Sequence, residues 1–250
     1  MTRRTRAILI SSASLTAGAA LGAWLWRRWG YPVRAVEREV RTAPPPPVTD
    51  EPPGERDIQH EADGVGARFH RRYEVDVEKT TKSPVELIGC IGENIQAYVP
   101  DEIAVFEKST GVEGRLAVGD EYDIHIRSPW DGPVRVVEAE PTRFTLATLD
   151  GHMEAGQIRF EAVEHPTVPD ALRFSIESWA RSRDGAVDFV YDELGLAKKA
   201  QQAMWTFFCE RVADDCGGQK MEEVRVLTER EPAPDEAEPD AGRQSGPDDG

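Results

Sequence analysis

A chain of 250 residues that is 39% hydrophobic and 30% charged has room for one ordinary domain with flanking segments, and it is too polar for a multi-span membrane protein. Its formal net charge of −16 repels phosphate backbones, so no nucleic acid partner is expected. Three cysteines, Cys90, Cys209 and Cys216, with no CxxC pair, read as small buried apolar side chains and not as a disulfide scaffold or a zinc site.

Residues 7–26, AILISSASLTAGAALGAWLW, carry no charge. That length of about twenty residues spans a bilayer core of ~30 Å. Arginines flank both ends, and Trp24, Trp26, Trp29 and Tyr31 follow. Flanking arginines with interfacial aromatics predict a single-pass membrane anchor over residues 1–31. A cleaved signal is the rival reading, through Ala17-Gly18-Ala19, but the apolar run continues past that point. The arginine excess after the span leans the domain towards the cytoplasmic side. Gly18 and Gly22, four apart behind Ser14, form a small-residue stripe through which two anchors would pack as a weak homodimer. Residues 32–57 are a linker, and its stretch 42–57 holds six prolines. Proline removes backbone donors and favours an extended polyproline spacer.

The expected folded domain covers residues 58–219. Phe69, Tyr73, Val75 and Val77 alternate with His70, Arg72, Glu74 and Asp76, the period of a half-buried strand. A helix follows. Ser83 caps it, Pro84 suits its first turn and Glu86 completes a capping box, with Leu87, Ile88, Ile91 and Ile95 as the apolar stripe. Short strands are expected over 121–126, 134–139, 143–149, 156–163 and 172–180, with another near 114–118. Their turn-rich links fit an antiparallel meander. A long helix over 193–215 carries Leu196, Ala197, Ala200, Met204, Phe207, Phe208 and Val212 at helical spacing, and Gly217-Gly218 stops it. Residues 220–250 are acidic and poor in apolar side chains, and they read as a disordered tail. The order implies an α+β fold: a curved antiparallel sheet wrapped on the long C-terminal helix, the helix-grip arrangement, preceded by one transmembrane helix. The order resembles that of the START/Bet v 1-like (SRPBCC) superfamily of polyketide cyclases and lipid-transfer proteins.

The segment Thr148-Leu149-Asp150-Gly151-His152-Met153-Glu154-Ala155-Gly156-Gln157-Ile158-Arg159-Phe160 resembles a Gly-His-x-Glu stretch of the DUF1990 (UPF0548) family of bacteria and plants. Trp179-Ala180-Arg181-Ser182 and Gly132-Pro133-Val134-Arg135-Val136-Val137 are similar to two further segments of that family. The resemblance spans about residues 68–215. Gln157 stands where that family usually has glutamate, and no proline follows Ser182. The family has no settled activity, so the resemblance bears on fold more than on function.

His152 and Glu154 are the candidate catalytic pair. Two apart in an extended segment, an imidazole and a carboxylate would converge on one side. The bland alternative is a turn histidine that satisfies local backbone groups. Arg159 and Arg181 are candidates for arginines turned inward to meet a carboxylate, Trp130 for a lid over a pocket mouth, and Met204 and Phe208 for pocket lining. No metal set and no cofactor motif is present. The leading expectation is a membrane-anchored module that binds a lipid or other small apolar ligand without catalysis. The alternatives are an envelope scaffold and a cyclase- or hydrolase-like enzyme using His152 and Glu154.

Overall fold

The computed structural model describes residues 31–48, 51–126, 131–184 and 196–233. Its strands are β1 (Val33–Glu39), β2 (Val65–Glu78), β3 (Ala104–Thr110), β4 (Glu121–Ile126), β5 (Asp131–Glu140), β6 (Arg143–Thr148), β7 (Glu154–Glu164), β8 (Ala171–Ser182), β9 (Gln219–Lys220) and β10 (Val224–Glu231). The two α-helices among the described residues are α1 (Pro84–Glu93) and α2 (Leu196–Asp215). The strands form one sheet in the order β1-β10-β2-β8-β7-β6-β5-β4-β3, with β9 beside β2.

Each element follows from a local rule. The Ser83 hydroxyl accepts from the Glu86 amide while the Glu86 carboxylate accepts from the Ser83 amide, so the capping box starts α1 where expected. On β2, Tyr73, Val75 and Val77 are buried at alternate positions. On α2, Met204, Trp205, Phe208, Cys209 and Val212 are buried at helical spacing. Phe208 lies 5.3 Å from Phe160 of β7, 5.8 Å from Phe174 of β8 and 5.3 Å from Tyr98, centroid to centroid. These rings and their neighbours form one core between the sheet and α2. Truncating Phe208 to alanine there belongs to the class of substitutions costing about 3–5 kcal/mol.

Several expectations are corrected. Among the described residues no helix is long and apolar enough to cross a membrane. Residues 7–26, with Gly18 and Gly22, lie outside the described residues. The transmembrane helix is therefore no part of the fold described, and the single-pass membrane location and the anchor dimer are withdrawn with it. The sheet is not wholly antiparallel: β1 runs parallel to β10, from Val33 beside Val224 to Glu39 beside Arg230. The sheet thus extends past both expected boundaries. Residues 33–39 are a strand and not a spacer, and residues 224–231 are a strand and not a disordered tail. In β10 only Val224 and Val226 enter the core, so its composition reads as polar while its backbone pairs on both sides. No strand occurs over 114–118. The strand is β3, which turns only Ala104 and Phe106 into the core, too few apolar positions to show a period.

The proline-rich stretch is a strap laid across the outer face of the sheet. The Val40 amide donates to Arg230 O at 3.0 Å, and Thr42 Oγ1 donates to Glu231 at 3.0 Å. Gln157 Nε2 of β7 donates to Pro46 O at 3.0 Å. Arg135 of β5 donates to Pro52 O at 3.1 Å and Arg56 O at 2.6 Å, and also pairs with Glu121 at 2.6 Å. Arg56 reaches Asp123 of β4 at 2.7 Å. Prolines suit this path because a strap outside the ladder has no use for their missing donors, while their carbonyls still accept. Gly54 allows the closest approach: a Cβ there would lie 1.7 Å from Arg135 Nη2.

Candidate functional site

Alternation along the strands decides which polar side chains face α2. On β2 the inward positions run Phe69, Arg71, Tyr73, Val75, Val77, so Arg71 sits in the phase of the core. On β7 Phe160 and Ala162 enter the core, and Glu154 shares their phase. On α2 Gln201 lies one turn before Met204 and Trp205 and two before Phe208, on the same face. Three polar side chains therefore meet at the end of the core nearer the start of α2. Arg71 Nη1 lies 3.5 Å from Glu154 Oε1, and Gln201 Nε2 donates to Glu154 Oε2 at 3.2 Å. The Arg71 guanidinium stands over the Phe69 ring at 4.5 Å from its centroid, a favourable placement for a cation.

Arg71 is only 5% exposed. Among the described residues its Nη2 has no hydrogen-bond partner, and neither has Gln201 Oε1. An unmet buried polar atom costs about 1–3 kcal/mol, so a donor and an acceptor unmet near the same carboxylate set this cluster apart from the satisfied interior. Tyr73, next in the inward row, is fully enclosed, and burial pushes its hydroxyl pKa well up.

His152 does not join this cluster. It precedes β7, and its Nδ1 accepts from the Glu154 amide at 2.9 Å while lying 2.9 Å from Glu154 O. Its Nε2 edge packs on Gly132, where a Cβ would come within 3.1 Å. Burial lowers its pKa, which keeps the ring neutral. The imidazole thus holds the backbone of the turn, while the Glu154 carboxylate points to Arg71 and Gln201. The two side chains do not converge as an extended segment would place them, because the strand starts only at Glu154. Gly156, two residues on, has φ +152°, and a Cβ there would lie 2.0 Å from Trp179 O. Only glycine lets β7 approach β8 this closely.

The other candidates lie elsewhere. Arg159 is on the outer face, 3.2 Å from Glu138, and Arg181 is paired there with Glu61. Met204 is buried and Phe208 fully so, the latter inside the aromatic cluster. Trp130 lies outside the described residues. Cys209 and Cys216 are buried and Cys90 is half-buried, none of them in a disulfide. Among the described residues no group of His, Cys, Asp and Glu is arranged to hold a metal ion. A concavity of about 360 Å³ lies under the strap on the outer face, lined among others by Pro44, Pro46, Ile58, Ala147 and Gln157. Arg71 and Gln201 are the cluster residues absent from the candidates of the sequence. The signal of Arg71 was the phase it shares with Phe69 and Tyr73.

No family model matches this chain, and no curated protein matches it. Solved structures do resemble it. A hypothetical protein from Helicobacter pylori is 9% identical with a TM-score of 0.44, covering 72% of this chain and 99% of that one. Norcoclaurine synthase from Thalictrum flavum, in complex with dopamine and hydroxybenzaldehyde, is 13% identical with a TM-score of 0.39, covering 66% of this chain and 97% of that one. A conserved protein from Geobacillus kaustophilus is 10% identical with a TM-score of 0.40, covering 59% of this chain and 95% of that one. Likeness this distant carries no inference about activity, and the sheet-on-helix description rests on this chain's own pairing and core.

Proposed function

We propose that this domain is a binding module for a small, largely apolar molecule, held between the sheet and α2 with one polar group at Arg71, Glu154 and Gln201. The observation that carries the reading is the 5%-exposed Arg71 with an unpartnered Nη2. A charged side chain is rarely buried unless its hydrogen bonds are met. Phe69, Tyr73, Met204 and Trp205 supply apolar surroundings, which suits a ligand that is oriented by a few polar contacts. His152 is a structural residue in this reading, and no catalysis is assigned.

Native mass spectrometry of the full chain, followed by extraction of anything bound, tests the reading. The expected result is a stoichiometric apolar molecule, or its uptake from a lipid extract, with affinity reduced about tenfold or more in Arg71→Met. A clean unliganded mass with no uptake from the extract would sink it.

A further inference from the structure

On the outer face of β2 both ring nitrogens of His70 meet carboxylates, and the two carboxylates come from different strands. Nε2 lies 2.7 Å from Glu177 of β8, and Nδ1 lies 2.7 Å from Glu229 of β10. The residue is 7% exposed, and its ring stacks on Trp179 at 5.2 Å. An ionised carboxylate only accepts, so both contacts are hydrogen bonds only when both nitrogens carry protons. A neutral ring donates once. Its bare nitrogen then faces the other carboxylate, acceptor against acceptor, in a place from which water is largely excluded. The remaining charges stand behind the carboxylates. Arg72 of β2 pairs with Glu177, Arg38 of β1 pairs with Glu229, and Arg68 of β2 holds Glu61 and Glu231. None of them supplies the proton missing between ring and carboxylate.

The fold decides which contact yields. Glu177 belongs to β8, which is paired along both sides by β2 and β7. Glu229 belongs to the half of β10 that sends nothing into the core, since only Val224 and Val226 of that strand do. The same half carries Glu37, Arg38 and Glu39 of β1, and it takes the first ties of the strap, from the Val40 amide to Arg230 O and from Thr42 to Glu231.

We infer that His70 is a pH-sensitive latch: its imidazolium fastens the end of β10, with β1 and the start of the proline strap, and loss of the proton lets that end come away from the sheet. The strap supplies Pro44 and Pro46 to the wall of the outer concavity, so the latch governs how far that concavity is covered. This device is separate from the binding-module reading and does not depend on it. An imidazolium between two carboxylates gives up its proton later than a free one. The latch is therefore closed below the ordinary histidine range and opens as pH rises past it.

Hydrogen exchange of the full chain, with rates referred to unstructured peptide amides at the same pH, tests this at about pH 6 and about pH 9. Between the two, protection at Val40, Thr42 and residues 228–231 is expected to fall at least about tenfold more than protection in β7 and β8. Glu229→Gln separates the cause. Its amide donates to a bare Nδ1 and keeps β10 fastened to a neutral ring, so the extra fall is expected to shrink below about threefold. His70→Gln leaves one carboxylate without a donor at either pH, so its strap and the end of β10 are expected to be poorly protected throughout. An equal fall in the strap and in β7 and β8 of the wild type overturns the latch. An extra fall that persists unchanged in Glu229→Gln overturns His70 as its cause. Should that variant not fold, an extra fall that survives in His70→Gln overturns it equally.

Discussion

On the outer sheet face His70 lies between two carboxylates, 2.7 Å from Glu177 through Nε2 and 2.7 Å from Glu229 through Nδ1, stacked on Trp179. Burial by itself lowers the pKa of such a ring. The hydrogen bonds and charges of Glu177 and Glu229 outweigh burial, and the pKa rises above the ordinary 6.5. A raised folded pKa gives stability that is fully present below the unfolded value and is lost as pH rises through the folded one. The stability of the protein is therefore expected to fall as pH rises from about 6.5 through the raised folded pKa, by a component that His70→Gln removes. Urea denaturation of both chains across that range measures it, and parallel curves would exclude it. His152 titrates in the opposite sense, since burial lowers its pKa, but it is common to both chains and cancels in the comparison. Arg71 teaches the same lesson about position. Its charge marks it as a surface residue, and only its strand phase and its neighbours Glu154 and Gln201 make it part of the interior.

Among the elements, the strap depends on a few donors aimed at its carbonyls. Gln157 is the clearest case, because its amide donates to Pro46 O and a carboxylate at that position has no proton to give. Gln157 thus fastens Pro46 of the proline stretch to β7. Gln157→Glu is expected to cost about 1–3 kcal/mol and to open the strap to proteolysis within residues 40–57. Limited digestion of wild type and variant side by side checks this, with equal cleavage rates as the contrary result. Arg135 is the firmer fastening, since it is 3% exposed and holds Glu121 together with two strap carbonyls. Removing one member of such a buried pair leaves the other charge unmet, a loss of about 3–5 kcal/mol.

At the scale of the whole molecule the two ends of the described chain are joined in the sheet. Among the described residues β1 pairs only with β10, and β10 pairs with β2 from Arg225 beside Glu74 to Glu231 beside Arg68. A chain cut to residues 58–219 loses β1, β10 and the strap, and leaves the backbone groups of β2 unpaired along one side. Exposed strand edges of that kind are templates for association. The truncated chain is expected to be aggregated or to lack a cooperative thermal transition, whereas a chain of residues 31–233 is expected to melt cooperatively. Size-exclusion chromatography with thermal circular dichroism distinguishes the two, and a stable monomer of 58–219 would show that the ends are accessory.

Sequence alone determined what depends on neighbours along the chain. The Ser83-Pro84-Glu86 start of α1, the alternation in β2 and the Met204, Phe208 and Val212 positions of α2 follow local patterns, and each appears in the structure where its period placed it. The strand order was legible only as a succession of segments. Tertiary structure decided what depends on residues far apart: that a proline stretch lies on a sheet instead of spanning solvent, that a polar C-terminal segment becomes β10, and that Arg71, Glu154 and Gln201 converge. The physical reason is that a period in sequence reports which face of an element is apolar, while pairing and convergence are set by which faces and edges find each other. A buried arginine is hydrophilic in every local count, and only the carboxylate that faces it across the core makes its place intelligible.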